Sequence, residues 1–251
     1  MNNYLPTDYQ TFIATSRYAR WLDDEGRRET WSETVDRYID NIVKPLIAGA
    51  IAEVDLIRHH LLSLQVMPSM RSMMTAGKAA ARDNTCMYNC SYLPVDDPKS
   101  FDEAMFILLC GTGVGFSVER QFISKLPDVP TLFDSDTTVV IKDSKEGWAK
   151  GLRQVLALLW AGEIPKWDVS KVRPAGARLK TFGGRASGPA PLIDLFMFAV
   201  NTFKGAEGRR LSSIECHDLM CKIGEVVVVG GVRRSAMISL SNLSDDRMRH
   251  A

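Results

Sequence analysis

The residues that could do chemistry in this 251-residue chain lie mainly between Met67 and Val118. Cys90 enters an apolar, aromatic run as Asn89-Cys90-Ser91-Tyr92. A thiol there is either packing or a redox and nucleophilic group. Upstream, Pro68 to Gly77 is a turn punctuated by Pro, Ser and Gly, with the Ser72 hydroxyl inside it. Downstream, Gly111-Thr112-Gly113-Val114-Gly115 joins two apolar runs. Alternate glycines let the backbone approach a ligand and offer N–H groups to an anion. The turn lacks the strand–GxGxxG–helix setting and acidic partner of a dinucleotide site, and the Lys-Ser/Thr of a P-loop. Near the end, Arg233-Arg234-Ser235 offers guanidinium forks that grip phosphate or stack on a base.

Composition narrows the classes. The chain is 45% hydrophobic and 24% charged, ordinary for one large core or two domains. A net charge of +1 implies no general affinity for polyanions, so direct nucleic-acid binding is not expected. The five cysteines, Cys86, Cys90, Cys110, Cys216 and Cys221, are odd in number and scattered, unlike a secreted disulfide framework. Their spacings are not those of common zinc sites. No apolar leader or 18-residue apolar run occurs, so no membrane association and a cytoplasmic location with reduced thiols are expected.

Elements must position these groups. Residues 1–28 are polar and aromatic and point to no function. Thr30-Trp31-Ser32-Glu33 is a capping box opening a helix through Val35, Ile39, Ile42, Val43 and Leu46, interrupted or kinked at Pro45. Ile51 to Leu62 is a second helix, with His59 and His60 ordinary members. Residues 68–77 read as strand and turn. Cys90 begins a strand, Asp96-Asp97-Pro98 starts a helix over Phe101 to Leu109, and Val114 to Val118 is a strand. Beyond it come a short strand from Thr137 to Ile141 and a helix from Trp148 to Trp160, with Gly162 and Pro165 after it. A long punctuated loop follows, from Pro174 to Pro189. Pro191 to Phe203 is a helix, and Ser212-Ser213-Ile214-Glu215 caps another, to about Val226. Val226 to Val229 is a β-branched run broken by Gly230-Gly231, before a last strand from Ala236 to Leu240. Alternating short strands and helices predict an α/β fold.

Taken in order, these motifs resemble a known family. Pro68-Ser69 with Arg71-Ser72 and Ala76-Gly77, Asn89-Cys90, Gly111 to Val118, Glu146-Gly147-Trp148, Asp168 to Gly176, Phe182 to Pro189 and Gly231 to Ala236 follow the amino-terminal half of a ribonucleotide reductase large subunit. The likeness is strongest to the adenosylcobalamin-dependent class, in its monomeric triphosphate-reducing branch. It implies an N-terminal helical region over 1–66, a first barrel segment over 67–118, an insertion subdomain over 119–190, and barrel helices, strand and specificity loop over 191–251. It also implies that the α/β fold is the first part of a ten-stranded barrel.

The resemblance further implies roles. Cys90 matches the first of two reducing cysteines; a dithiol–disulfide couple delivers two electrons reversibly. The other four cysteines match no role and read as packing. Ser72, Asn89 and Gly113 fall where the family meets its ribonucleoside triphosphate substrate, although Ser72 and Asn89 also suit turn capping. Asp97 matches the acid that holds the ribose of a dNTP effector, or it is the N-cap of the next helix. Arg233, Arg234 and Ser235 match the loop joining effector to substrate choice. A thioredoxin-type reductant is expected. The radical-bearing cysteine, the second reducing cysteine and most contacts to adenosylcobalamin are expected in a C-terminal half of the enzyme, without which this chain should be inactive. Two alternatives stay open: a diphosphate-reducing large subunit, and a non-catalytic nucleotide-binding regulator.

Overall fold

The computed structural model describes residues 4–47, 50–177, 185–229 and 236–250. It divides into two compact units, Met1–Asn89 and Cys90–Ala251.

The first unit is helical. Thr7 caps α1 (Asp8–Ile13), which runs on into a widened turn. A two-stranded hairpin, β1 (Trp21–Leu22) and β2 (Arg27–Arg28), follows. The predicted capping box is present at α2 (Trp31–Tyr38): Thr30 Oγ1 accepts from Glu33 N, and Glu33 accepts from Thr30 N (2.7 Å). The expected disturbance at Pro45 takes a specific form. The helix widens to a π turn over Ile39–Val43 and closes with α3 (Lys44–Leu46), Lys44 N bonding Ile39 O. Proline lacks an N–H and crowds the preceding turn, and the wider turn accommodates both. After α4 (Ile51–Leu62) comes the first departure from expectation. Residues 70–75, read as strand and turn, form a short helix, α5 (Met70–Thr75), capped by Ser69. Then come α6 (Lys78–Arg82) and a 3-10 turn, Asn84–Met87. Trp31, Val35, Ile39, Val54, Leu61 and Met73 build the core of this unit.

The second unit is α/β. Strand β3 (Cys90–Pro94) leads through α7 (Lys99–Leu109) to β4 (Gly113–Ser117), parallel to β3. Gly111, at φ 82°, ends α7; only a residue free of a Cβ clash takes that left-handed turn readily. Next come α8 (Arg120–Ile123), β5 (Phe133–Val140), α9 (Lys145–Trp160) and β6 (Glu163–Asp168), with β5 and β6 parallel. Strand β6 was not expected, because Pro165 sits inside it. A two-stranded sheet has only edges, where a missing N–H is tolerated. Helices α10 (Ala190–Lys204) and α11 (Ser213–Val229) lead towards β7 (Met237–Leu240) and α12 (Asp246–Arg249). The second capping box is also present, Glu215 accepting from Ser212 N (2.8 Å). The run Val226–Val229, read as a separate β-branched segment, is the last turn of α11; burial of Val226 and Val227 overrides their strand preference. Strand β7 pairs in parallel with β4, giving the order β3-β4-β7. Phe101, Met105, Phe116, Leu156, Phe196 and Phe203 anchor the core beneath.

One approach in this unit is tight. A Cβ added to Gly147 would press on the Lys142 carbonyl, 2.9 Å from its carbon. That neighbour is backbone and cannot rotate away. Gly147→Ala is therefore expected to cost about 1–3 kcal/mol, a typical overpacking penalty, read as a lower urea midpoint. An unchanged midpoint would mean that the close approach does not exist in solution.

Candidate functional site

The three parallel strands present two different faces. Leu93, Val114 and Phe116 point into the core. The alternate positions face the other way: Cys90 and Tyr92 on β3, Gly113 and Gly115 on β4, Ile238 and Leu240 on β7. The register places Cys90 directly beside Gly113, and Tyr92, Gly115 and Ile238 in one row. Ser91 Oγ donates to Gly113 O (3.0 Å) and pins that register at the level of the thiol. With no side chains at 113 and 115, the centre of this face is bare backbone. Cys90 and Tyr92 flank it on one side and Ile238 on the other. Tyr92 is 54% exposed and Ile238 64%.

Two of the expected site residues are thus brought together, Cys90 and Gly113. Cys90 is exposed, so it is not packed within the described residues. Cys86, Cys110 and Cys216 are buried as that reading requires, and burial pushes the Cys216 thiol well up. Cys221 departs from it: it is exposed, with its sulfur 3.5 Å from His217 Nε2. Asp97 lies past the far end of β3. Its Oδ1 accepts from Lys99 N (2.8 Å) and its carbonyl from Ser100 N (2.9 Å), so it does shape the start of α7, although the capping position itself is Pro98.

Ser72 and Asn89 belong to the first unit. Asn89 is exposed. Ser72 is half-buried in the first turn of α5, where its N–H donates to Ser69 Oγ (3.1 Å) and its hydroxyl accepts from Ser69 Oγ (3.2 Å). Arg233, Arg234 and Ser235 lie outside the described residues, as do Phe182 to Gly184 of the punctuated loop.

Some features had no signal in the sequence. A groove of about 420 Å3 between α7 and α9 is lined by Asp102, Phe106, Glu146, Lys150 and Arg153. Burial raises the Asp102 carboxyl above its usual range, against the pull of Arg153, whose Nε donates to Oδ2 (2.8 Å). In the first unit, Arg20 lies inside the segment that had seemed functionally silent, and Glu29 directly follows it. Arg20 Nη2 donates to Thr75 O (3.1 Å), 55 residues on, a separation that no local pattern reveals.

Comparison with known proteins agrees with the motifs. Residues 128–203 match the family model described as B12-dependent ribonucleotide reductase, insertion domain. The chain is similar to the amino-terminal part of the B12-dependent ribonucleotide reductases. An adenosylcobalamin-dependent ribonucleoside-triphosphate reductase of Lactobacillus delbrueckii subsp. bulgaricus is 27% identical over 91% of this chain and 40% of its own length. That of Lactobacillus leichmannii is 26% identical over the same shares. A crystal structure of a B12-dependent (class II) ribonucleotide reductase shares the fold at a TM-score of 0.79 and 24% identity, over 94% of this chain and 42% of that one. The chain thus spans about two fifths of the relatives it matches. The first alignment runs to 297 positions, longer than the chain itself, so the reductase carries residues this chain lacks. The insertion-domain match takes in β5, α9, β6 and most of α10, running past the boundary expected at 190. No helix among the described residues is long and apolar enough to cross a membrane.

Proposed function

We propose that this chain is the Cys90-bearing part of an adenosylcobalamin-dependent ribonucleoside-triphosphate reductase. The observation that carries the reading is the exposed thiol of Cys90 on an open sheet face, in register with Gly113. A ribose can lie on bare backbone there with its carbon 2′ within reach of sulfur. The net reaction balances as ribonucleotide plus dithiol giving deoxyribonucleotide, disulfide and water. Cys90 is the first sulfur of that dithiol. Its partner, and the thiyl-bearing cysteine, belong to a C-terminal half of the enzyme.

Gly113, Ser72 and Asn89 are the substrate contacts in this reading. Asp97, Arg233, Arg234 and Ser235 serve a dNTP effector, the arginines supplying directional donors to phosphate or base. A thioredoxin-type protein returns the electrons in the cytoplasm, where thiols stay reduced. Adenosylcobalamin, when bound, supplies the radical that starts the reaction. Two grooves among the described residues, of about 420 and 400 Å3, are lined by ionised pairs such as Asp102–Arg153 and Glu215–Arg209, where a corrin needs apolar walls. Most of its contacts are assigned to the C-terminal half.

The test combines this chain with a polypeptide carrying the remaining portion, a ribonucleoside triphosphate, a dithiol and adenosylcobalamin. Deoxyribonucleotide formation that requires the cobalamin is the expected result. Turnover without cobalamin, or on diphosphates with a separate radical-generating subunit, supports the diphosphate-reducing alternative. Nucleotide binding without turnover under every condition supports the regulatory one.

A further inference from the structure

Helix α5, which carries Ser72, has only six residues. A helix that short does not hold itself in water, and its last four carbonyls have no partners within it. The first unit supplies those partners from a distance. Arg37 Nη1 donates to Met73 O (2.7 Å) and Ala76 O (3.1 Å). Arg20 Nη2 donates to Thr75 O (3.1 Å) and more weakly to Met74 O (3.4 Å). Two cations at a helix C-terminus also suit its dipole.

The two guanidiniums would repel each other if left alone. Glu29 sits with them, and it is only 8% exposed. Its carboxylate accepts from Arg37 Nε (2.8 Å) and Nη2 (2.9 Å), from Arg20 N (3.0 Å) and from Thr34 Oγ1 (3.2 Å). Arg37 Nη2 also reaches Tyr18 O (3.1 Å). Gly77 completes the arrangement. A Cβ there would come within 3.2 Å of Arg20 Nη1, and φ is +105°. The glycine that closes the motif therefore leaves room for the arginine that holds it.

We propose that Arg37, with Arg20 and Glu29, is the positioning residue for the Ser69–Gly77 segment, fixing the Ser72 hydroxyl for substrate. The clamp follows from the geometry; its consequence for substrate rests on the reductase reading above. Arg37 acts through α5 and touches no substrate itself. Only a planar fork can serve Met73, Ala76, Glu29 and Tyr18 at once, so lysine cannot replace it.

Two arms test this. The first is hydrogen exchange on the chain itself. The amides of Met73 and Ala76 close α5 by bonding Ser69 O and Ser72 O. In Arg37→Lys these two amides should exchange at least tenfold faster, with amides of β3 and β4 unchanged. Arg20→Lys, which keeps the Glu29–Arg37 pair, should show a smaller rise at the same amides and guards against a variant that merely unfolds. Wild-type protection at 73 and 76 in both variants would overturn the clamp. The second arm is kinetic, in the completed reductase. Arg37→Lys should raise the substrate KM about tenfold with kcat changed less than twofold, matching Ser72→Ala. The double variant should be no worse than either single one. An unchanged KM, or additive losses, would reduce Arg37 to a stabilising residue. If the wild type reduces no ribonucleotide, the functional reading fails by itself, and the exchange arm still decides the clamp.

Discussion

Cys90→Ser should abolish multiple-turnover reduction in the completed enzyme, a loss of at least about a thousandfold with a dithiol or thioredoxin as electron source. The chemistry gives the size. A hydroxyl cannot join a disulfide, so the two electrons have no route to the ribose. The structure predicts that the loss comes without unfolding. Cys90 is exposed at the first position of β3, and its backbone register is fixed by the neighbouring Ser91–Gly113 bond rather than by its own side chain. Exchanging sulfur for oxygen at such a site changes stability by no more than about 0.5 kcal/mol. The measurement is deoxyribonucleotide formed per enzyme over many cycles, beside a thermal melt. Full turnover in the variant would remove Cys90 from the electron path. A collapsed melt would mean that the thiol is structural after all.

Glu29→Gln should cost the first unit about 3–5 kcal/mol, as expected when one partner of a buried ion pair is removed. Glu29 and Arg37 side chains are 7% and 11% exposed, so solvent screens them little. Without the carboxylate, Arg37 and Arg20 face each other with only dipoles between them. Domains are stable by about 5–15 kcal/mol in total, so the variant should be close to unfolding in this unit alone. The same interaction predicts a pH dependence. Burial pushes the Glu29 carboxyl up, but bonds from Arg37, Arg20 N and Thr34 outweigh it and leave the group below its ordinary value of 4.5. A carboxylate lowered in the folded state adds stability above its unfolded pKa. That contribution drains away as pH falls below about 4.5 and through the folded value. Urea titrations read by exchange of the α2 amides should show a wild type that weakens with acid towards a variant that responds less. A difference under 1 kcal/mol at neutral pH would show that the network carries little.

Much of the site's scaffold was legible because it is local. Both capping boxes are signals four residues long, and both are present at Thr30–Glu33 and Ser212–Glu215. The β3–α7–β4 segment followed from one apolar helix between two apolar runs, with Gly111 at its end. What was not legible depends on distance. Helix α5 has no periodic face to betray it, because arginines 36 and 55 residues away along the chain stabilise it. Strand β6 hid behind Pro165, whose cost vanishes only once β5 is known to be its one partner among the described residues. Val226 and Val227 follow helical burial rather than intrinsic preference. Cys90 could be chosen from its neighbours, but not its exposure, since alternation along β3 does not say which face the helices cover.

The order β3-β4-β7 also bears on how the protein is made. Strand β4 waits for a partner on its open side until β7 emerges, and the bond from Arg120 N to Asn242 Oδ1 closes over 122 residues. At roughly 5–20 residues per second, ribosomes need on the order of ten seconds to cross that gap. Throughout it, the backbone edge beside Gly113 and Gly115 is unpaired, and such edges recruit stray strands. The intervening β5–α9–β6 unit and α10 can fold first, since their contacts are nearer in sequence. The nascent chain should accordingly bind holdase chaperones most strongly when it ends between about residues 120 and 240, and release them once β7 has docked.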